Sequence, residues 1–162
     1  MEIHSTPIFN KHHPTSAPPL TQVHPSDRQS VSFSEDTTMS NPTDVATQFV
    51  QFYYEKFDSD RSQLAPLYRD QSMLTFEANP YVGTTNIVKK LQELSFTKVS
   101  HQVHTLDAQP SNSSNPSIIV LVTGALLVDG EENPLKFSQA FHLVQENGTY
   151  FVLNDVFRLV LG

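Results

Sequence analysis

Residues 118–160, IIVLVTGALLVDGEENPLKFSQAFHLVQENGTYFVLNDVFRLV, decide the fold class. Ile118 to Val128 is almost continuously apolar and rich in β-branched side chains, the pattern of a strand covered on both faces. Asp129-Gly130, followed by Glu131 and Glu132, reads as a turn, because Asp and Gly tolerate a left-handed backbone. Two more strands, Leu135 to Gln145 and Thr149 to Val160, are joined through Glu146-Asn147-Gly148. Connections this short bring neighbouring strands together antiparallel. Upstream, Val99, His101, Val103 and Thr105 alternate with Ser100, Gln102, His104 and Leu106 as a fourth strand, followed by a Pro/Ser/Asn loop from Pro110 to Pro116.

The period changes further upstream. Asn41-Pro42 supplies an N-cap and a proline at the first helical position. Val45, Phe49, Phe52, Tyr53 and Phe57 then recur at helical spacing, and the stripe from Phe49 to Phe57 reads as core. Arg61 to Tyr68 reads as a second, short helix. Met73 to Glu77 reads as a short strand ended by Asn79-Pro80. Thr84 or Thr85 caps a third helix, along which Ile87, Val88, Leu91 and Leu94 follow the 3.6 period. The expectation is an α+β fold, with three N-terminal helices packed on one face of a strongly curved antiparallel sheet.

Composition limits the rest. With 10 Lys and Arg against 17 Asp and Glu, the net charge is −7. A surface of that sign repels phosphate backbones, and Lys89-Lys90 is the densest basic run, so no nucleic-acid partner is expected. The chain has no cysteine, which removes disulfides, thiolate metal sites and a cysteine nucleophile. No apolar run reaches the roughly 18–20 residues of a membrane span, and Met1 to Leu20 lacks the basic and apolar regions of a secretory signal. A soluble intracellular domain without a membrane partner is the expectation.

Residues 1–38 hold Pro7, Pro14, Pro18, Pro19 and Pro25, four histidines (His4, His12, His13 and His24) and no glycine. Such a segment cannot offset its ordering entropy by burial and reads as disordered. The irregular histidine spacing does not make a metal site. A start at Met39 is the other reading of this stretch, which leaves residues 39–162 as the folded domain.

Several strings within that domain resemble the nuclear transport factor 2 family, small dimeric carriers of the GTPase Ran. They are FVQFYYEKFDSDRSQ (49–63), LTFE (74–77), IVKKL (87–91), TLDAQP (105–110), FSQAFHL (137–143) and NDVFRL (154–159). They span essentially residues 44–160 in the family's order, and the wording is most like fungal members. The resemblance implies a cone whose apolar mouth accepts an aromatic side chain from the switch region of GDP-bound Ran, with acids at the rim pairing with flanking basic groups. It also implies a homodimer formed sheet to sheet, weak contacts with phenylalanine-repeat nucleoporins, and a life between cytoplasm and nucleus, enriched at the pore. It implies neither cofactor nor metal.

By that resemblance Glu77 is the rim acid, and the acidic turn is Asp129-Gly130-Glu131. The mouth lining is Phe76, Leu94, Phe96, Leu126, Val128 and Phe137, and dimer contacts fall at Leu121, Ala140 and Val156. Two departures stand out. Gly130 sits where family members often carry an acid, which leaves Asp129, Glu131 and Glu132 all open as the contact. Ser40 to Val45 also lacks the aromatic that the family uses toward nucleoporins. Taken without the resemblance, the acids form an ordinary solvated turn and the phenylalanines are core.

The same cone fold serves isomerases and dehydratases, so His101, His104 and His142, with Asp107 and Asp155, raise an enzyme reading. His101 and His104 lie three apart on a strand and should point to opposite faces. They then form no single site, and the carrier that the resemblance implies is expected to be non-catalytic. The alternative is a cone that binds or converts a small apolar molecule.

Overall fold

A computed structural model describes residues 41–112 and 114–160. The expectations for residues 1–38, including the histidine tract and a start at Met39, lie outside them. Helix α1 covers Pro42–Ser59; the Asn41 side chain accepts from the Thr43 N–H, and Pro42 opens the first turn. Its buried face is Ala46, Phe49, Val50, Tyr53, Tyr54 and Phe57, a set at i, i+3, i+4, i+7 spacing. Phe52 falls off that face. It is 42% exposed beneath the Lys56 ammonium, which corrects its expected place in the core.

Asp60 caps the next element through the Ser62 N–H, and Arg61–Leu67 is a 3₁₀ helix. Strand β1 (Met73–Phe76) turns back through Glu77 into β2 (Asn79–Val82). Asn79-Pro80 therefore opens an edge strand rather than ending one, and Pro80 is tolerated because the edge leaves one row of donors unused. Helix α2, Thr84–Gln92, starts from Gly83 without a side-chain cap, so neither Thr84 nor Thr85 caps it. Ile87 and Leu91 are its buried residues, and Leu94 lies beyond its end. The β1–β2 hairpin thus separates the second helix from the third.

Four long strands follow: β3 (Val99–Asn112), β4 (Ser117–Val128), β5 (Leu135–Glu146) and β6 (Thr149–Leu159). The six strands form one open sheet in the order β2-β1-β6-β5-β4-β3. The sheet is mixed rather than wholly antiparallel, because β1 pairs parallel with β6. The chain between them, β2, α2 and β3 to β5, supplies the long connection that a parallel pair needs. The Asn147-Gly148 hairpin has φ of 51° and 79°, the left-handed pair that a tight two-residue turn requires. β3 runs through Pro110, paired with Ile118, so the expected loop is shorter; as an edge strand, β3 accommodates the proline.

Two details shape the sheet. A register shift between Val103 and Thr105 breaks the alternation of β3, and beyond it Leu106 and Ala108 pack against the core. Over the first half of β4 the burial alternates: Ile118, Val120 and Val122 are buried, while Ile119 and Leu121 are 51% and 43% exposed. Both faces are covered only further along, at Ala125 and Leu126, which corrects the two-sided burial expected for the whole strand.

At Gly124 a Cβ would run into the Gln102 carbonyl oxygen and come within 2.8 Å of the Phe137 ring. We expect Gly124→Ala to cost about 1–3 kcal/mol through overpacking, read as a lower urea midpoint at unchanged slope.

Candidate functional site

A cavity of about 260 Å³ lies between the helices and the inner face of the sheet. Its walls come from every layer: Phe57 of α1, Leu74 and Phe76 of β1, Leu91 of α2, Leu94 and Phe96 of the loop after it, Leu126 and Val128 of β4, and Phe157 and Leu159 of β6. An apolar cavity of about 150 Å³ already accepts benzene, so there is room here for a phenyl ring. Phe76 stacks on Phe157 at 4.8 Å between ring centroids. The Arg61 guanidinium donates to the Leu91 and Phe96 carbonyls and lies 4.6 Å from the Phe96 ring centroid. It pins the Leu94–Phe96 segment without filling the space.

Of the residues expected at the mouth, Phe76, Leu94, Phe96, Leu126 and Val128 line this cavity. Phe137 sits behind the wall, 1% exposed, packed on Phe157 and His101. The cavity is also lined by His101, Gln139, Leu135, Phe157 and Leu159, and by Tyr53, Phe57, Leu74, Leu91 and Ser95, none of which the sequence marks as mouth residues. For β5 and β6, the inward parity of Phe137 already implied Gln139 and, across the ladder, Phe157.

The acids are held as well as placed. Glu77 has a left-handed φ of 57°, and its N–H donates to the Phe157 carbonyl. Its carboxylate accepts from the Leu159 N–H at 2.7 Å, beside the lining residues Phe76 and Leu159. Arg158 approaches the other oxygen at 3.8 Å. Asp129, next to Val128, accepts from the Thr97 and Lys98 N–H groups and the Thr97 hydroxyl. The Lys98 N–H foremost holds its carboxyl below the usual aspartate range. Glu131 and Glu132 are exposed. The acidic turn thus divides into one carboxylate that staples a loop and two that face water.

A polar cluster underlies the apolar walls. Asp155, 0% exposed, accepts from the Tyr53 and Tyr68 hydroxyls and from Gln139 Nε2, at 3.1, 2.8 and 2.7 Å. Asp155 therefore has no histidine partner among the described residues. His101 is instead bonded through Nδ1 to Asp58 Oδ1 at 2.6 Å. His104 is exposed at the β3 irregularity, where the opposite-faces rule for a regular strand does not apply; no hydrogen bond joins it to His101 among the described residues. His142 lies on the outer sheet face, bonded to Ser111 and Asn154. Among the described residues no group of three His, Cys, Asp or Glu side chains is placed to hold a metal ion. No described helix is long and apolar enough to cross a membrane.

The family profile of the nuclear transport factor 2 (NTF2) domain matches residues 45–159. The chain belongs to the nuclear transport factor 2 family. It is 58% identical over 122 residues to nuclear transport factor 2 of Davidiella tassiana, covering 75% of this chain and 97% of that one. It is 55% identical over 124 residues to the Schizosaccharomyces pombe protein of that name, covering 76% of this chain and all of the other. Among solved structures, nuclear transport factor 2 from Cryptosporidium parvum superposes with a TM-score of 0.67 at 42% identity, over 72% of this chain and 93% of that one.

Burial pushes the Asp155 carboxyl up to about 6 despite its three donors. A folded-state value above the unfolded one means that the native protein holds the proton more tightly. Asp155 thus leaves stability intact below about pH 4 and reduces it as pH rises through 6. Carried through both states, that displacement is worth about 3 kcal/mol. We expect the difference in unfolding free energy between wild type and Asp155→Asn to change by that order between pH 4 and 7, measured by urea titration at each pH, with wild type gaining toward acid.

Proposed function

We propose that this protein is a homodimeric, non-catalytic carrier in nuclear transport that takes GDP-bound Ran into the nucleus. Family membership supports the transport role. The observation that carries the finer reading is the open apolar cavity with Glu77 and Asp129 attached to segments of its wall. In this reading a switch-region aromatic of GDP-bound Ran enters the cavity, and Glu77 with Glu131 or Glu132 meets its flanking basic groups. The GTP form withdraws the aromatic, so nucleotide exchange in the nucleus releases the cargo by differential binding. Weak contacts with phenylalanine-repeat nucleoporins carry the complex through the pore. The protein then moves between cytoplasm and nucleus and is enriched at the pore.

Magnitudes set what the anchor supplies. Burying one aromatic contributes about 1.5–3 kcal/mol, and each exposed ion pair about 0–1 kcal/mol. A micromolar complex requires about 8 kcal/mol. A ring of contacts around the mouth has to provide the remainder.

The dimer reading rests on the uncovered face of the sheet. Leu121 pairs with Ala140, and Ala140 with Val156, so the three expected contact residues form one row across β4, β5 and β6. Ile119 adds apolar surface in the adjoining row. An apolar strand face of this extent is what a second copy covers. Cavity polarity favours one second reading, binding of a small molecule, because Tyr53, Ser95, His101 and Gln139 interrupt a mostly apolar wall.

Three Glu77 variants separate charge from structure. Glu77→Gln keeps an acceptor for the Leu159 N–H and should weaken binding of GDP-loaded Ran by about three- to tenfold. Glu77→Ala should cost more. Glu77→Lys should abolish detectable binding, about a hundredfold or more, because it sets like charges together. Calorimetry with GDP- and GTP-loaded Ran checks the series; equal affinity of wild type for both forms contradicts the carrier. Val156→Glu should yield a folded monomer by sedimentation, since a charge at this exposed position burdens the interface and not the core.

A further inference from the structure

One group inside the cavity is unused by a purely apolar anchor. The His101 side chain is only 2% exposed, stacks on Tyr54 at 4.2 Å between centroids, and is edged by Phe57 and Phe137. Asp58 accepts twice from this residue, from the backbone N–H at 2.9 Å and from the ring at 2.6 Å. A carboxylate can only accept here, so Nδ1 carries a proton, and in the neutral ring Nε2 keeps its lone pair. Asp58 lines a groove between α1 and β3, not the cavity, whereas His101 lines both. The Nδ1 edge is therefore spent on the groove side.

Nε2 has no hydrogen-bond partner among the described residues, yet no sealed side-chain polar atom among them is left unpartnered. Nε2 thus touches accessible space, and the cavity is the space that the ring borders away from Asp58. Tyr54 links this acceptor to a second polar group on the same wall. The Tyr54 hydroxyl donates to Gln139 Oε1 at 2.9 Å, and Gln139, 3% exposed, gives one N–H to Asp155. Its other N–H has no partner among the described residues.

We infer that the cavity is also a binding site for a small monocyclic phenol, whose ring fills the apolar walls and whose hydroxyl hydrogen-bonds to His101 Nε2. This is the composition of a ligand pocket: apolar walls with a few polar groups that fix orientation. A phenol suits it better than a plain arene, since a buried acceptor left without a donor costs free energy. The site requires the cavity alone and does not depend on the carrier reading.

The probes are p-cresol and toluene, which differ by the hydroxyl. In NMR titrations of ¹⁵N,¹³C-labelled full-length protein, both should shift the Leu126 and Val128 methyls, but only p-cresol should move the His101 Nε2 resonance. His101→Phe, which retains a ring against Tyr54, should weaken p-cresol about tenfold and leave toluene within about twofold. Two results overturn the inference: p-cresol shifting the cavity methyls without moving Nε2, or neither probe shifting those methyls. Both are read on wild type, so the outcome stands even where His101→Phe fails to fold.

Discussion

The buried carboxylate of Asp155 holds the architecture together. It receives the hydroxyl of Tyr53 from α1, the hydroxyl of Tyr68 from the end of the 3₁₀ helix, and the amide of Gln139 from the neighbouring strand. Its burial is costly for a charge, which raises its affinity for a proton. The three donors return enough to keep helices and sheet in one arrangement. Tyr53 and Gln139 also line the cavity, so the network that fastens the layers sets the floor of the space between them. A hollow beside a well-satisfied polar cluster can stay open, because collapse would break bonds that an apolar core does not have.

The carboxylates near the mouth obey the same economy. Glu77 and Asp129 both sit at left-handed backbone positions and bind backbone N–H groups of the segments next to them. Each therefore fixes the wall as well as contributing negative charge. Charge removal and shape change are consequently mixed in most substitutions there, and an isosteric amide is the informative variant. Glu131 and Glu132 carry no such duty among the described residues and are free to meet a partner.

Much of this was legible in the sequence. Periodicity located α1, α2 and the four long strands, because each buries one face and so imprints its period. The β2 strand escaped, since Asn79-Pro80 reads as a stop unless the edge position of the strand is known. The parallel β1–β6 pair escaped for a related reason: pairing between strands remote in sequence leaves no local mark. Phe52 was misplaced because an aromatic close to a core stripe looks like part of it. The apolar strand Ile118 to Val128 reads as covered on both faces, but the chain leaves Ile119 and Leu121 exposed, because a sequence does not tell cover by its own chain from cover by another. At the site, the family resemblance points to Phe76, Leu94, Phe96, Leu126 and Val128, which line the cavity, and to Phe137, which lies behind its wall. His101 stands out in the sequence as a titratable residue, but its place on the cavity wall is not legible because its partner, Asp58, lies 43 positions away.

Whether an aromatic side chain of the partner enters the cavity is visible in methyl-resolved NMR. Ran loaded with GDP should shift the methyls of Leu91, Leu94, Leu126, Val128 and Leu159 with ring-current signatures, and Ran loaded with GTP should leave them in place. Binding of the GDP form with those methyls undisturbed would contradict the account.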